Sequence, residues 1–272
     1  MDGSNQTMTA TLVRDLVRDL GAESASLDAL VTPLPPDKWA TPTPAEGWTI
    51  AHQIAHLAWT DRLVLMSATD EEAFTAEIAQ AAGDPMGYVE AGAEDLATED
   101  PAKLLTRWRD GLVQLAEAIA HLPGGTHIAW FGPGMSAASM ASARIMETWA
   151  HGQDIADALG VTREPTQRLR HVAHIAVAAR GYAFAMNGLA PPEAPIRVEL
   201  LAPDGATWTW GPADAAERIS GPAVDFCLLA TQRRHREDLA LRAKGPTADK
   251  WLDIAQAFAG PPGPGRRHGQ FG

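Results

Sequence analysis

Two pairs of residues on predicted helices have the types and spacing that could bind a metal ion. His52 and His56 are four residues apart, and so are Glu147 and His151. Residues at i and i+4 lie on the same face of an α-helix, so the side chains of each pair can reach one point. Facing helices that contribute such pairs build the internal metal sites of helical bundles. Three ligands with one open position are typical of catalytic zinc, and mixed His and carboxylate ligands also suit other divalent first-row metals.

The same spacing also fits an ordinary amphipathic helix, so the residues alone leave two interpretations open. A polar stripe runs along the predicted helix 136–159 opposite Ile145 and Trp149, as on a surface helix. The stripe comprises Arg144, Glu147, His151 and Asp154. The pair His52 and His56 could likewise lie on a solvated or hydrogen-bonded face. Periodicity does not decide between a metal site and a solvated face.

Two further groups have simpler structural explanations. His171 and His174 lie among apolar residues on a later predicted helix, which favours a partly buried structural pair. Arg233, Arg234 and Arg236 form a basic cluster after an apolar helix. Such a cluster either complements the negative end of the helix dipole or clamps an anion.

The composition disfavours several classes of protein. The 272 residues carry a net charge of −12, which argues against a nucleic-acid partner because phosphate binding depends on Lys and Arg. The single cysteine, Cys227, excludes an internal disulfide and a Cys-based zinc framework. No P-loop, GxGxxG, GxSxG or HExxH pattern occurs, which disfavours the common nucleotide-binding, serine hydrolase and zincin classes.

The sequence also bears on location and assembly. It contains no apolar run of about 18 residues that could cross a membrane. Its first residues have neither the basic start nor the apolar core of a signal peptide. We therefore expect a cytoplasmic protein without membrane association, acting on a small molecule as a monomer or a homodimer.

Helical periodicity predicts that residues 1–189 form a helical bundle. Apolar residues recur at spacings of three and four, and caps such as Thr49 and Asp100 mark the starts of helices. Residues 126–135 contain a Gly-Pro-Gly sequence and are predicted to form a loop, with no strand before residue 180. The predicted helices cover residues 12–31, 49–68, 70–82, 86–96, 101–122, 136–159 and 165–187.

The composition changes at residues 190–195, which read as a proline-rich linker. Residues 196–201 and 207–210 alternate like the strands of a hairpin, and further helices are predicted from Gly221 and from Asp249. The predicted organisation is mainly α with a small α+β part: a bundle over 1–189, an α+β domain over 196–259 and a flexible tail over 260–272.

Two stretches resemble the metal motifs of the mycothiol-dependent maleylpyruvate isomerase family, a branch of the DinB-like metal-binding four-helix bundles. They are residues 47–57 (GWTIAHQIAHL) and residues 144–156 (RIMETWAHGQDIA). The resemblance implies one zinc ion held by His56, Glu147 and His151. It places His52 at a variable position, so that His52 would line the cofactor pocket or support a ligand. Asp154 lies one further turn along the helix from His151, which places it to orient a ligand.

The similarity extends into the second part of the chain. Residues 198–229 look like the small C-terminal domain of these proteins, and residues 225–258 resemble a wyosine-base-formation domain. The net charge of −12 argues against a tRNA role. In the family the C-terminal domain supplies a functionally important arginine to the cleft, and Arg233 is the nearest match here.

Two functions from different classes follow. The resemblance favours an enzyme in which a divalent metal activates mycothiol, or another small thiol, for isomerisation or transfer on an electrophilic substrate. A variant would use metal-bound water or Lewis acidity for hydrolysis or elimination. The alternative is a non-catalytic metal-binding or partner-binding bundle whose metal joins two helices. A fourth protein ligand such as His52 would favour the latter.

Overall fold

The computed structural model describes residues 3–123 and 125–271, and their contacts form two compact units, Met1–Thr162 and Arg163–Gly272. The sequence placed the end of the bundle at residue 189 instead. Residues 163–189 differ from that expectation because the helices they form pack against later helices of the second unit.

The first unit is a four-helix bundle with two additional helices and a hairpin. Its helices are α1 (Gly3–Val31), α2 (Ile50–Thr69), α3 (Glu71–Ala81), α4 (Pro85–Ala97), α5 (Pro101–His121) and α6 (Ala137–Leu159). The bundle is built from α1, α2, α5 and α6, while α3 and α4 pack on α2. Buried apolar side chains fill the space between the four bundle helices, among them Leu27, Ile54, Leu57, Leu104 and Trp108.

The helix ends follow from local sequence chemistry. Asp100 accepts hydrogen bonds from the first N–H groups of α5, and Ser136 accepts one from Ser139 at the start of α6. Gly160 then ends α6 in the left-handed conformation, with φ of 66°, which glycine adopts without a steric penalty. These caps explain why the bounds of α2, α5 and α6 agree with the sequence within a residue or so.

A hairpin occupies the segment that the sequence predicted as a loop. Strands β1 (His127–Trp130) and β2 (Gly132–Ser136) pair antiparallel, so the expectation of no strand before residue 180 is wrong. Gly132 adopts a φ of 125° at the reversal, and Ser67 of α2 donates a hydrogen bond of 2.5 Å to the Ala129 carbonyl. The strands are too short to show a two-residue alternation.

The second unit combines four helices with a four-stranded sheet. They are α7 (Leu169–Ala178), α8 (Arg180–Met186), α9 (Ala223–Ala230), α10 (Pro246–Ile254), β3 (Ile196–Leu201), β4 (Thr207–Trp210), β5 (Glu217–Pro222) and β6 (Arg242–Lys244). The strand order is β4-β3-β5-β6, with β3 and β5 parallel and the outer pairs antiparallel. The β3–β4 hairpin was predicted, whereas β5 and β6 were missed.

Two details of this unit correct the sequence prediction. The helix expected over 165–187 is two helices, α7 and α8, separated at Ala179. The predicted flexible tail follows a defined path, because its backbone N–H groups find side-chain acceptors. Gly260 donates to the Tyr182 hydroxyl, and Gly269 donates to both Asp238 oxygens at 3.0 Å. Composition cannot reveal such partners.

The mainly α fold class with a small α+β part is confirmed. In the part of the chain that the structure describes, helices predominate and the larger sheet lies in the second unit. None of the described helices is long and apolar enough to cross a membrane.

Helix α4 lies close to α2 because α4 carries a glycine at the contact. A Cβ atom on Gly92 would lie 2.2 Å from Cε2 of the Trp59 indole. Trp59 is buried and contacts the Tyr88 ring edge-on, with centroids 5.1 Å apart. Gly92 therefore sets how closely α4 can cover the middle of α2.

Replacing Gly92 with alanine tests this packing. Gly92→Ala is expected to lower the free energy of unfolding by about 1–3 kcal/mol, because the added methyl group must displace the indole or the helix. Gly111→Ala on α5 is the matched control, since nothing lies within 4 Å of its added Cβ, and it should stabilise the protein by roughly 0.8–1 kcal/mol. Urea unfolding of both variants measures the difference; equal gains would contradict the close contact.

Candidate metal centre

Helices α2 and α6 bring three ligand-type side chains of the first unit to one point. Oε2 of Glu147 lies 3.2 Å from Nε2 of His151 and 3.6 Å from Nε2 of His56. One ligand atom from each of the three residues lies within 4.8 Å of the others. Their spacing on α6 places Glu147 and His151 one turn apart, and His56 faces them from α2.

The polar stripe on α6 is buried rather than solvated. His56 and His151 are each 8% exposed, Arg144 is 3% exposed and Asp154 is fully buried. Only Glu147 keeps appreciable access, with 22% of its side chain exposed. Periodicity left open whether this face is solvated, and in the structure it is not: the polar stripe faces the interior of the bundle.

Gln53 orients one of the two histidines. The Nδ1 atom of His151 lies 2.5 Å from Oε1 of Gln53, while Nε2 of Gln53 donates to the Thr43 hydroxyl at 2.9 Å. Thr43 in turn donates to the carbonyl oxygen of Trp48 at 2.9 Å. Because the amide oxygen can only accept, Gln53 takes the Nδ1 proton of His151 and holds the ring with its Nε2 edge towards Glu147.

Aromatic rings form a wall beside the histidines. The Trp48 ring centroid lies 5.3 Å from that of His56 and 6.0 Å from that of His151, stacked at 18° on the latter. Trp59 flanks His56 from the other side, with centroids 6.2 Å apart. Sequence reasoning missed Gln53 and Trp48 as site residues, although both lie within the 47–57 motif.

The electrostatics of the cluster suit a cation. Burial, together with the charge of His151, lowers the pKa of His56 to about 4. Burial alone would raise the pKa of Glu147, but the two imidazoles beside its carboxylate, His151 at 3.2 Å and His56 at 3.6 Å, hold that pKa well below its usual range. At neutral pH the cluster thus presents a neutral imidazole on His56 and an ionised carboxylate, which are the protonation states that metal ligands need. Two imidazoles and one carboxylate fit a divalent first-row ion.

His52 has a structural role at the start of α2 instead of a place beside the cluster. Its Nδ1 accepts a hydrogen bond from the Thr49 backbone N–H at 3.2 Å, and its Nε2 lies 2.7 Å from Oε2 of Glu94 on α4. Its ring also lies 6.2 Å from that of Trp48, and the expectation that His52 lines the cofactor pocket stays a prediction. The i, i+4 spacing from His56 could not reveal the helix cap, which depends on Thr49.

The remaining predicted site residues are not among the three converging side chains. Asp154 is fully buried on α6 and is not one of the three clustered ligand groups. Arg233 follows α9 in the second unit, where its Nη1 donates to the Thr231 carbonyl at 2.6 Å. His174 accepts a hydrogen bond from Trp210 at 3.2 Å, and neither it nor His171 belongs to a metal-type cluster among the described residues. The roles of Asp154 and Arg233 stay predictions.

A buried ion pair joins the same two helices beside the cluster. Nε of Arg144 on α6 donates to Oδ1 of Asp61 on α2 at 2.9 Å, and both side chains are only 3% exposed. Burial raises the pKa of Asp61, while Arg144 and a hydrogen bond from Trp108 act against that rise. The pair ties α2 to α6. The sequence does not reveal it, because Asp61 and Arg144 are 83 positions apart in the chain.

Removing one partner of this pair should destabilise the fold strongly. Asp61→Ala leaves the Arg144 charge buried and uncompensated, which should lower the free energy of unfolding by about 3–5 kcal/mol. The double variant Asp61→Ala/Arg144→Met should recover much of that loss, because no charge stays buried. Asp15→Ala is the control, since the exposed pair of Asp15 with Arg18 should contribute only ~0–1 kcal/mol. Denaturant unfolding would refute the argument if all three variants behaved alike.

Comparisons with known proteins place the chain in a family. The family model of the mycothiol maleylpyruvate isomerase N-terminal domain matches residues 20–156. A wyosine-base-formation model matches residues 192–244, an earlier stretch than the 225–258 expected from the sequence. Two uncharacterized proteins of Mycobacterium tuberculosis are each 58% identical over 250 residues, covering 92% of this chain and 97% of their own length.

Solved structures show the same fold at low sequence identity. Two crystal structures of a mycothiol-dependent maleylpyruvate isomerase, one of them a histidine-to-alanine mutant, match with TM-scores of 0.58 and 0.57. Their identities to this chain are 15% and 14%, and each match covers 87% of this chain and 95% of the other. Because the family model matches half of its residues, the chain belongs to the mycothiol maleylpyruvate isomerase family.

Proposed function

We propose that this protein is a metal-dependent enzyme that uses a small thiol of the mycothiol type to isomerise a small electrophilic substrate. The observation that carries the proposal is the convergence of His56, Glu147 and His151 in a buried, aromatic-walled cluster. Family membership supports an enzyme of the DinB-like metal-dependent class. The name of the structurally similar isomerase supports the thiol and the reaction type as a proposal.

The three converging residues would hold the ion, with zinc as the first candidate. A divalent metal bound there would lower the pKa of a thiol or water beside it, so that a nucleophile exists at neutral pH. The protein's own residues prepare this function. Glu147 supplies the anionic ligand and Gln53 fixes the tautomer of His151. Trp48 limits the access of water to both imidazole rings.

The contacts of His52 favour the catalytic alternative over a purely structural metal. A structural zinc site has four protein ligands, whereas a catalytic site has three and keeps one position open. His52 was the candidate for the fourth ligand, but it is engaged with Thr49 and Glu94. A three-residue set therefore leaves a position for a thiol or a substrate group.

Arg233 is proposed to bind a carboxylate of the substrate. Its guanidinium can form paired hydrogen bonds to a carboxylate, which supply orientation as well as binding energy. Addition of the thiol to a double bond of the substrate, rotation about the resulting single bond and elimination of the thiol would give isomerisation, whereas retention of the thiol would give a transferase. The proposal includes a small-molecule substrate, no nucleic acid and a cytoplasmic location; monomer or homodimer stays open to measurement.

The metal assignment predicts which variants lose zinc. His56→Ala and His151→Ala should each remove one equivalent of bound zinc, because a three-ligand site loses a third of its donors. His52→Ala and His174→Ala should retain it, since both side chains have other partners. Elemental analysis after dialysis against the same zinc buffer measures this. Full retention by His56→Ala would refute the site.

Gln53 provides a finer test of the same centre. Gln53→Leu should weaken zinc binding by about 10–100-fold, because His151 loses the partner that fixes its ring. Gln114→Leu on α5, which is exposed, serves as the control. Competition with a chromophoric chelator measures both affinities; an unchanged affinity for Gln53→Leu would remove this residue from the site.

The reaction type is tested with the substrate of the structurally similar isomerase. Zinc-loaded protein should isomerise maleylpyruvate only when mycothiol is present, as followed by the absorbance change of the substrate. Arg233→Lys should raise KM more than it lowers kcat, because a point charge replaces a two-pronged donor. Turnover without thiol would instead support the water-based variant. Unchanged activity of Arg233→Lys would contradict the proposal that Arg233 binds the substrate carboxylate.

A further inference from the structure

A second group of histidine and carboxylate side chains lies where the C-terminal segment, residues 260–271, meets a short 3-10 helix of the second unit. That helix comprises Arg236–Asp238. His235 precedes it, Glu237 lies within it, and His268 comes from the C-terminal segment. One ligand atom of each lies within 4.8 Å of the others. We propose that His235, Glu237 and His268 bind a second divalent metal ion that clamps the C-terminal segment onto this unit.

The distances leave room for an ion at the centre of the three side chains. Oε2 of Glu237 lies 3.9 Å from Nδ1 of His235 and 3.8 Å from Nδ1 of His268. Ligands bound to zinc at about 2.0–2.2 Å stand roughly 3–4 Å from one another. The two imidazole rings lie at 60° with centroids 5.7 Å apart. Nδ1 of His235 accepts the backbone N–H of Glu237 at 3.2 Å, so His235 would exchange that hydrogen bond for the ion.

A second carboxylate, that of Asp238, lies beside His268. Oδ1 of Asp238 lies 2.6 Å from Nδ1 of His268, and both oxygens of Asp238 accept the N–H of Gly269 at 3.0 Å. Both carboxylates approach the same nitrogen of His268, Glu237 at 3.8 Å and Asp238 at 2.6 Å. Asp238 would therefore be a further oxygen ligand beside that nitrogen when an ion is bound.

Two neighbouring arginines have contacts of their own. Arg236 is bound by Asp249 and Asp253 of α10. The Arg234 guanidinium lies over the ring of Phe271, 4.2 Å from its centroid. Glu237 has its ion-pair contacts, within the described residues, with the two histidines. A mixed imidazole and carboxylate set with this charge suits zinc or another first-row divalent ion.

The C-terminal segment that the ion would clamp also walls a cavity. The cavity has a volume of about 410 Å³ and is lined by residues 263–266 on one side and by Gln232, Arg234 and Leu252 among others. Gly263 donates to Oε1 of Gln232 at 3.1 Å, which holds the start of this wall. An ion bound by His268 would hold its far end, so binding would fix the shape of the cavity.

This site is independent of the cluster on α2 and α6. Its three residues all belong to the second unit, whereas His56, Glu147 and His151 belong to the first. The matched family regions end at residue 244, so His268 lies outside them. The side chains of Glu237 and His268 are 69% and 63% exposed, so an ion can reach them from solution.

Zinc binding to the full chain counts the sites. Wild-type protein should bind two equivalents at equilibrium dialysis, His268→Ala and His56→Ala one each, and the double variant none. His121→Ala is the matched control, because that exposed histidine contacts only its own helix through the Glu117 carbonyl among the described partners. Two equivalents bound to His268→Ala would overturn the proposal, and so would loss of the second equivalent in His121→Ala.

Protection of the C-terminal segment provides a second measurement. Trypsin can cut after the exposed Arg267, beside His268. At a free zinc concentration of ten times the dissociation constant, cleavage there should slow about tenfold, since zinc binds only the closed form. The effect should persist in His56→Ala and vanish in His268→Ala and Glu237→Gln. Cleavage that is insensitive to zinc in wild-type protein would overturn the clamp.

Discussion

A largely enclosed carboxylate between two buried imidazoles is the constraint on which the first unit depends. Glu147 cannot stay ionised inside a helical bundle without donors or a cation close to it, and His56 and His151 are the groups that approach it. Their rings must be held in place, which requires Gln53 behind His151 and the aromatic rings beside them. The ion pair of Asp61 and Arg144 fixes the spacing of the two helices that carry these groups.

Much of this arrangement could be predicted from the sequence because it depends on local periodicity. The caps at Asp100 and Ser136 and the left-handed Gly160 define helix ends within a few residues of chain. The one-turn spacing of Glu147 and His151 is likewise a local property. Spacing did not decide whether that face is solvated; the resemblance of two motifs to a known family supplied the preference, and burial supports it.

The features that sequence reasoning missed all depend on partners distant in the chain. Gln53 matters because α6 places His151 against it, and Asp61 matters because Arg144 lies opposite, 83 positions away. His52 is diverted from the cluster by Glu94 on α4. The C-terminal segment reads as flexible by composition, yet acceptors on Gln232 and Asp238 define its path. No local pattern encodes such contacts.

Hydrogen bonds run from His151 through Gln53 and Thr43 to the carbonyl of Trp48, the residue whose ring stacks on His151. Moving the segment that carries Trp48 aside to admit a bulky molecule would strain the same chain that orients His151. Entry and ligand geometry are thus mechanically coupled. Trp48, which stacks on His151, and Gln53, which orients the same ring, thus belong to one hydrogen-bonded chain, so a substitution at Thr43 would disturb both at once.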